Sequence, residues 1–255
     1  MNAIFAVARG TFREAVRDRV LFLVLIFGGA ALVMSRVVSP IALGEGPRIT
    51  VDLGLSALGL IGIAIVVLVG TQLVHKEIER RTIHVVLSRP LSRGQYLIGK
   101  WAGLAATMAT AVLAMTVILV AVGISVRGPA IVGPIVQAGF MIACANVVLA
   151  ALAVLFSSLS TPVLSVLYTL GLYATGYWTN DLRDFAAQMP GLAGDTLRFA
   201  SYVVPNLELF NLRAQVAHGE GTTLLHLALA VGYAATYTAA ALSLAVVAFE
   251  RRELK

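Results

Sequence analysis

Apolar positions gather into six long runs, Val20–Ser35, Leu53–Leu73, Leu97–Ile124, Ile135–Phe156, Pro162–Tyr177 and Leu224–Phe249, and the polar stretches between them hold most of the charge. Polar residues do not alternate with apolar ones inside these runs, as the strands of a membrane barrel would require. A backbone in hydrocarbon has no water to satisfy its N–H and C=O groups, so each run predicts a helix. Runs of about 20 residues match the thickness of a bilayer core. The pattern therefore predicts an all-α, polytopic membrane protein with six transmembrane helices in a single domain spanning residues 1–255.

The polar stretches add detail. Ahead of the first run, Ile4, Phe5, Ala8, Phe12, Ala15 and Val16 share one helical face, with Arg9, Arg13 and Arg17 in a stripe beside it. This pattern predicts an interfacial elbow helix within residues 1–19, apolar side in the membrane and arginines toward headgroups. Residues 75–96 are the most charged segment. Glu77 precedes Arg81 by four residues, the favourable order on a helix, and Pro90 ends that helix. Ser92 and Gln95 have capping-box spacing for the next one, and Lys100 with Trp101 marks the membrane interface. Thr161 before Pro162 is a helix restart. In residues 178–223, Pro190 and Pro205 divide an outer segment into short amphipathic pieces. There Leu207, Phe210, Leu212 and Val216 recur near helical spacing, which places the segment partly in the outer leaflet. On the last run, Ala230 with Ala234 and Ala235 with Ala239 repeat at four-residue spacing, suited to close helix packing.

Composition strengthens the membrane reading. Of 255 residues, 59% are apolar and 13% charged, with a mean hydropathy of +0.89, whereas soluble domains carry about 25% charged residues. The net charge of +6 does not point to nucleic acid, because Lys and Arg lie between apolar runs rather than in one basic domain. With the N-terminus cytoplasmic, thirteen Lys and Arg fall inside and six outside, so the positive-inside rule predicts cytoplasmic termini. Arg9, Arg13, Arg17 and Arg19 lead into a long apolar run without a clear cleavage site, unlike a secretory signal. Cys144 is the single cysteine, which leaves no disulfide framework and no cysteine-based zinc site.

Candidate chemistry is sparse. Gly94-Gln95-Tyr96-Leu97-Ile98-Gly99-Lys100-Trp101 approaches a phosphate-binding loop, but Trp101 stands where Ser or Thr would bind magnesium, and the stretch runs straight into an apolar span. The chain thus has no ATP-hydrolysing machinery of its own. The spans carry almost no ionisable residues away from their ends, against a coupled carrier or an intramembrane enzyme. Asn146 is the notable deep polar residue, either lining a pathway or bonded between helices. His75, His84, His218 and His226 with Met108, Met115 and Met141 offer soft ligands in principle, but their spacings do not converge on a metal site.

An apolar body without an energy source calls for an external motor, and the charged segment after the second span is the natural dock. Glu77-Ile-Glu-Arg-Arg-Thr82, then Val86-Leu-Ser-Arg-Pro-Leu-Ser-Arg93 and Gly99-Lys100, resembles the loop after the second span in permease subunits of type-2 ABC exporters. The terminal Phe249-Glu-Arg-Arg-Glu-Leu254 and the outer Pro205-Asn-Leu-Glu-Leu-Phe210 are similar to that family too, especially its branch named for multicopper-enzyme maturation. The resemblance implies two six-span permeases, identical or paired with a sister subunit, on separate ABC ATPase subunits that hold ATP and magnesium. It implies that His75, Lys76, Glu77, Glu79, Arg80, Arg81, Thr82, Arg89 and Arg93 couple to the ATPase. Arg81 departs from the pattern, since many members have Gly there. Phe5, Arg9, Phe12, Arg13, Arg17, Lys100 and Trp101 are the expected membrane-interface set.

The expectation is a non-enzymatic permease subunit in a plasma membrane, in the bacterial case the inner membrane, with export favoured and a cargo that is hydrophobic or enters laterally. The alternative is a motor-free scaffold or assembly factor that holds a partner or anionic lipid through its basic loop. A proton-coupled carrier would need transport to follow a pH gradient, which nearly charge-free spans do not suit.

Overall fold

The computed structural model describes residues 3–38, 45–72, 92–189 and 191–251. All regular structure among them is helical. The helices are α1 (Ala3–Val16), α2 (Arg19–Val38), α3 (Gly46–Leu68), α4 (Arg93–Arg127), α5 (Val132–Leu159), α6 (Pro162–Tyr177), α7 (Thr179–Gln188), α8 (Leu192–Val203), α9 (Arg213–Ala217) and α10 (Leu224–Glu250), with single 3-10 turns at Gly70–Gln72, Pro129–Ile131 and Glu208–Phe210. Each of the six apolar runs has become a helix. Among the described residues four segments, Gly46–Leu68, Arg93–Arg127, Pro129–Leu159 and Leu224–Glu250, are long and apolar enough to cross a membrane, and Leu21–Met34 within α2 is a shorter apolar stretch. At 1.5 Å per residue α6 reaches about 24 Å, short of a full hydrocarbon core of about 30 Å.

The bundle is organised around α5, which packs against α3, α4, α6 and α10. Its side chains from Val148 to Leu155 are all buried, as expected of a helix that is apolar all round. The peripheral α6 is built the other way. Ser165, Thr169 and Gly176 face inward while Val163, Leu167 and Tyr168 are exposed. Water would penalise so large an apolar surface, whereas lipid accepts it and helix contacts in lipid favour small residues. Hydroxyls within the helices are satisfied locally: Thr107, Thr116 and Thr169 each donate to the carbonyl four residues earlier, at 2.9, 2.7 and 2.7 Å.

Local signals translate unevenly. Ser92 caps α4 as its spacing predicts, with its hydroxyl accepting from Gln95 N at 3.2 Å and its own N–H donating to Gln95 Oε1 at 3.3 Å. Thr161 occupies the N-cap of α6 with Pro162 next, but its side chain makes no capping bond. In the outer segment, Leu207, Phe210, Leu212 and Val216 are buried in the bundle core, covered by protein side chains. Exposed apolar side chains of that segment include Phe185 on α7 and Leu192, Phe199 and Tyr202 on α8. On α10, Ala230 and Ala234 are buried as packing residues, but Ala235 and Ala239 are exposed.

Candidate functional site

The two ends of the bundle hold the candidate machinery. At one end α1 lies across the start of α4. Gly99 and Gly103 make this contact possible: a Cβ on Gly103 would sit 2.6 Å from both the Ala8 carbonyl oxygen and Thr11 Cβ, and one on Gly99 would sit 2.7 Å from Val7 Cβ. Small residues four apart let helix backbones approach this closely. The end of α10 completes a collar. Arg93 Nη1 donates to the Phe249 and Glu250 carbonyls at 3.2 and 3.3 Å, and its guanidinium lies 5.9 Å from the Phe249 ring centroid. A cation on the last carbonyls of a helix satisfies orphan acceptors and opposes the negative end of its dipole. Tyr96 stacks on Phe249 at 6.2 Å between centroids, and both side chains are fully buried.

Of the expected interface residues, Phe5, Arg9, Arg13 and Arg17 are exposed on α1 and Phe12 is half-buried. Thr11 and Ala15 are the residues of α1 that bury against the bundle. Lys100 is 4% exposed, with Nζ 5.7 Å from the centroid of the Tyr96 ring. Trp101 is half-buried and donates through Nε1 to the Val147 carbonyl at 3.3 Å, tying α4 to α5. The near-match to a phosphate loop at 94–101 is helix throughout. His75, Lys76, Glu77, Glu79, Arg80, Arg81, Thr82 and Arg89 lie outside the described residues; Arg93 is the coupling candidate placed within them, in the collar. Asn146 is buried against Gly62 of α3, with its amide nitrogen unpartnered. Met108, Met115 and Met141 are core side chains.

At the opposite end a cavity of about 540 Å³ opens between α3, α5, α6 and residues 210–213. Its walls mix Leu55, Leu60 and Ile142 with Ser56, Tyr173, Tyr177 and Arg213. Arg213 Nη2 contacts both carboxylate oxygens of Asp52, at 3.2 and 3.3 Å, and the pair is roughly half-exposed, at 43% and 41%. Arg213 Nε is buried without a hydrogen-bond partner. The loop carrying Arg213 is pinned at several points. Leu207 N donates to Gly176 O at 3.0 Å, Asn206 N donates to the Tyr233 hydroxyl at 2.8 Å, and His226 Nε2 lies 3.1 Å from Leu209 O. Nothing local in the sequence announces the Asp52–Arg213 pair, because its members lie 161 residues apart. Tyr173 and Tyr177, one helical turn apart, were a visible cue to a polar face on α6.

Residues 5–254 match the family described as ABC-2 family transporter protein. The chain belongs to that family. The match covers nearly the whole length, so the collar, the cavity and the apolar bundle are all parts of an ABC-2 membrane domain. An ABC-2 protein of this kind is a permease subunit of an ABC transporter, multi-pass in its membrane. The match stands at the level of the family and does not single out the branch named for multicopper-enzyme maturation. A search of curated proteins returned no match.

Proposed function

We propose that this ABC-2 permease spans the membrane six times with both termini cytoplasmic, and forms a transport pathway as one half of a dimer. Separate ATPase subunits carry ATP and magnesium and dock at the collar end, through residues 75–96 and the adjoining α1. The observation that supports this most is the collar itself. α1, the first turns of α4 and the last turn of α10 interlock through Gly99, Gly103, Arg93 and the Tyr96–Phe249 pair. A motor pushing on residues 75–96 would therefore move several helices together, as a rigid-body shift. The cavity at the far end is the natural outer end of such a pathway, and its semi-apolar walls suit a hydrophobic cargo moved outward. A bacterial inner membrane fits the expected orientation.

The test is purification of the tagged full chain in mild detergent from its native host, with ATPase activity and co-purifying subunits measured. A stoichiometric nucleotide-binding subunit that is lost on joint Glu77→Lys and Glu79→Lys substitution, with the melting temperature unchanged, is the expected result. A preparation free of ATPase and stable without it would favour the motor-free scaffold.

A further inference from the structure

Two recesses along α2 meet at one residue. A groove of about 490 Å³ runs between α2 and α3. Small residues, Gly28, Ala31, Ala57 and Ala64, lie low in it, while the exposed side chains of Leu23, Phe27 and Leu60 stand beside them. The second recess, of about 480 Å³, lies in the corner where α1 gives way to α2, and Arg17, Asp18, Arg19 and Phe22 line it. Leu23 lines both recesses. The apolar groove therefore opens onto a corner that carries two arginines.

Corner and groove lie in the same half of the bundle. Gly70, just past α3, packs on Leu104, next to Gly103 where α1 crosses α4, so the Leu68 end of α3 is the end near α1. Along α3 the groove runs from Leu68 back to Ala57, about 16 Å, which is roughly one leaflet of a 30 Å core. An acyl chain laid in it would thus have its headgroup at the corner. The charges there select the headgroup. Arg17 and Arg19 outnumber Asp18 in the lining, and Arg13 lies one turn before Arg17 on α1. Basic residues at this level attract anionic lipid, whereas the ammonium of a zwitterionic headgroup would face the same arginines. A soluble phosphate could use the arginines but would leave the groove bare.

We infer a resident site for an anionic phospholipid in the leaflet on the α1 side, with its phosphate on Arg17 and Arg19 and one acyl chain along the α2–α3 groove from Leu23 toward Ala57. This lipid is a fixed part of the assembly and not a cargo. It braces the corner between α1, which belongs to the collar, and α2. The site lies away from the Asp52–Arg213 cavity and needs no motor, so it stands or falls independently of the permease reading.

The test is native mass spectrometry of the full chain, purified with whatever subunits accompany it, after addition of phosphatidylglycerol or phosphatidylethanolamine with identical chains. Phosphatidylglycerol is expected to be retained about fivefold more strongly, the scale of one net basic residue at a membrane surface. Arg17→Gln and Arg19→Gln, made singly, should each cut that preference to about twofold or less. Arg9→Gln, the same charge change two turns back on α1, should leave it intact. Ala64→Phe, which fills the groove, should lower retention of both lipids. Equal retention of the two lipids by the unaltered chain, or an equal loss of preference on Arg9→Gln, would overturn the site and leave only general attraction to anionic membrane. Undiminished retention after Ala64→Phe would overturn it as well. A species of two chains without bound lipid would seat a second copy on the groove and also overturn the assignment. Selective lipid without any ATPase subunit would count against the motor and uphold the site.

Discussion

At the collar, Gly99 and Gly103 face helix α1 so closely that an added Cβ would strike its backbone or side chains, whereas at the cavity Gly59 faces open space. The same residue type serves opposite ends of the bundle in opposite ways. In the collar the absence of a side chain lets two helices lock. Beside the cavity it leaves space that no other side chain fills. Polar groups follow the same division. Arg93 closes the end of α10 by donating to two of its carbonyls, while Arg213 is held by Asp52 and still has an unused buried donor. One end is tightly interlocked and the other is left open.

The sharpest way to break this contrast is to place the same side chain at both glycines. Gly103→Leu should cost about 3 kcal/mol, since overpacking a filled contact forces backbone shifts, and should lower the melting temperature in detergent by several degrees. Gly59→Leu should leave that temperature within experimental scatter. Comparable losses at the two positions would remove the distinction between a locked end and an open one. A smaller effect separates the two arginines. Arg93→Ala should destabilise by about 1 kcal/mol, through lost bonds to the carbonyls of α10. Asp52→Asn should change stability by well under about 1 kcal/mol, because its partly exposed ion pair is screened. Thermal melts of both variants check the ordering.

The six helices were legible because each is a continuous apolar run, and lipid leaves no alternative way to satisfy the backbone. The Ser92–Gln95 cap was equally readable, being a local pattern with a local consequence. Tertiary pairing was not. Lys100 read as an interface marker because a lysine at the start of a span usually reaches headgroups; its burial beside Tyr96 is a tertiary contact that the local pattern did not show. Leu207 and Phe210 read as one apolar face, since the pattern identifies such a face but not what covers it. Their burial is fixed by the contacts of residues 205–210 with α6 and α10. The cavity was least visible, as its charged pair comes from α3 and α9 and meets only in the folded bundle.

The central claim, a rigid collar working a compliant cavity, is tested most directly by spin-label distances in the assembled transporter. In a Cys144→Ser background, one labelled pair at Arg13 and Glu250 would report on the collar, and another at Leu60 and Ala174 on the cavity. On ATP binding, the collar pair should keep its distance distribution while the cavity pair shifts to a new one. A collar pair that broadens or moves while the cavity pair stays fixed would contradict the account.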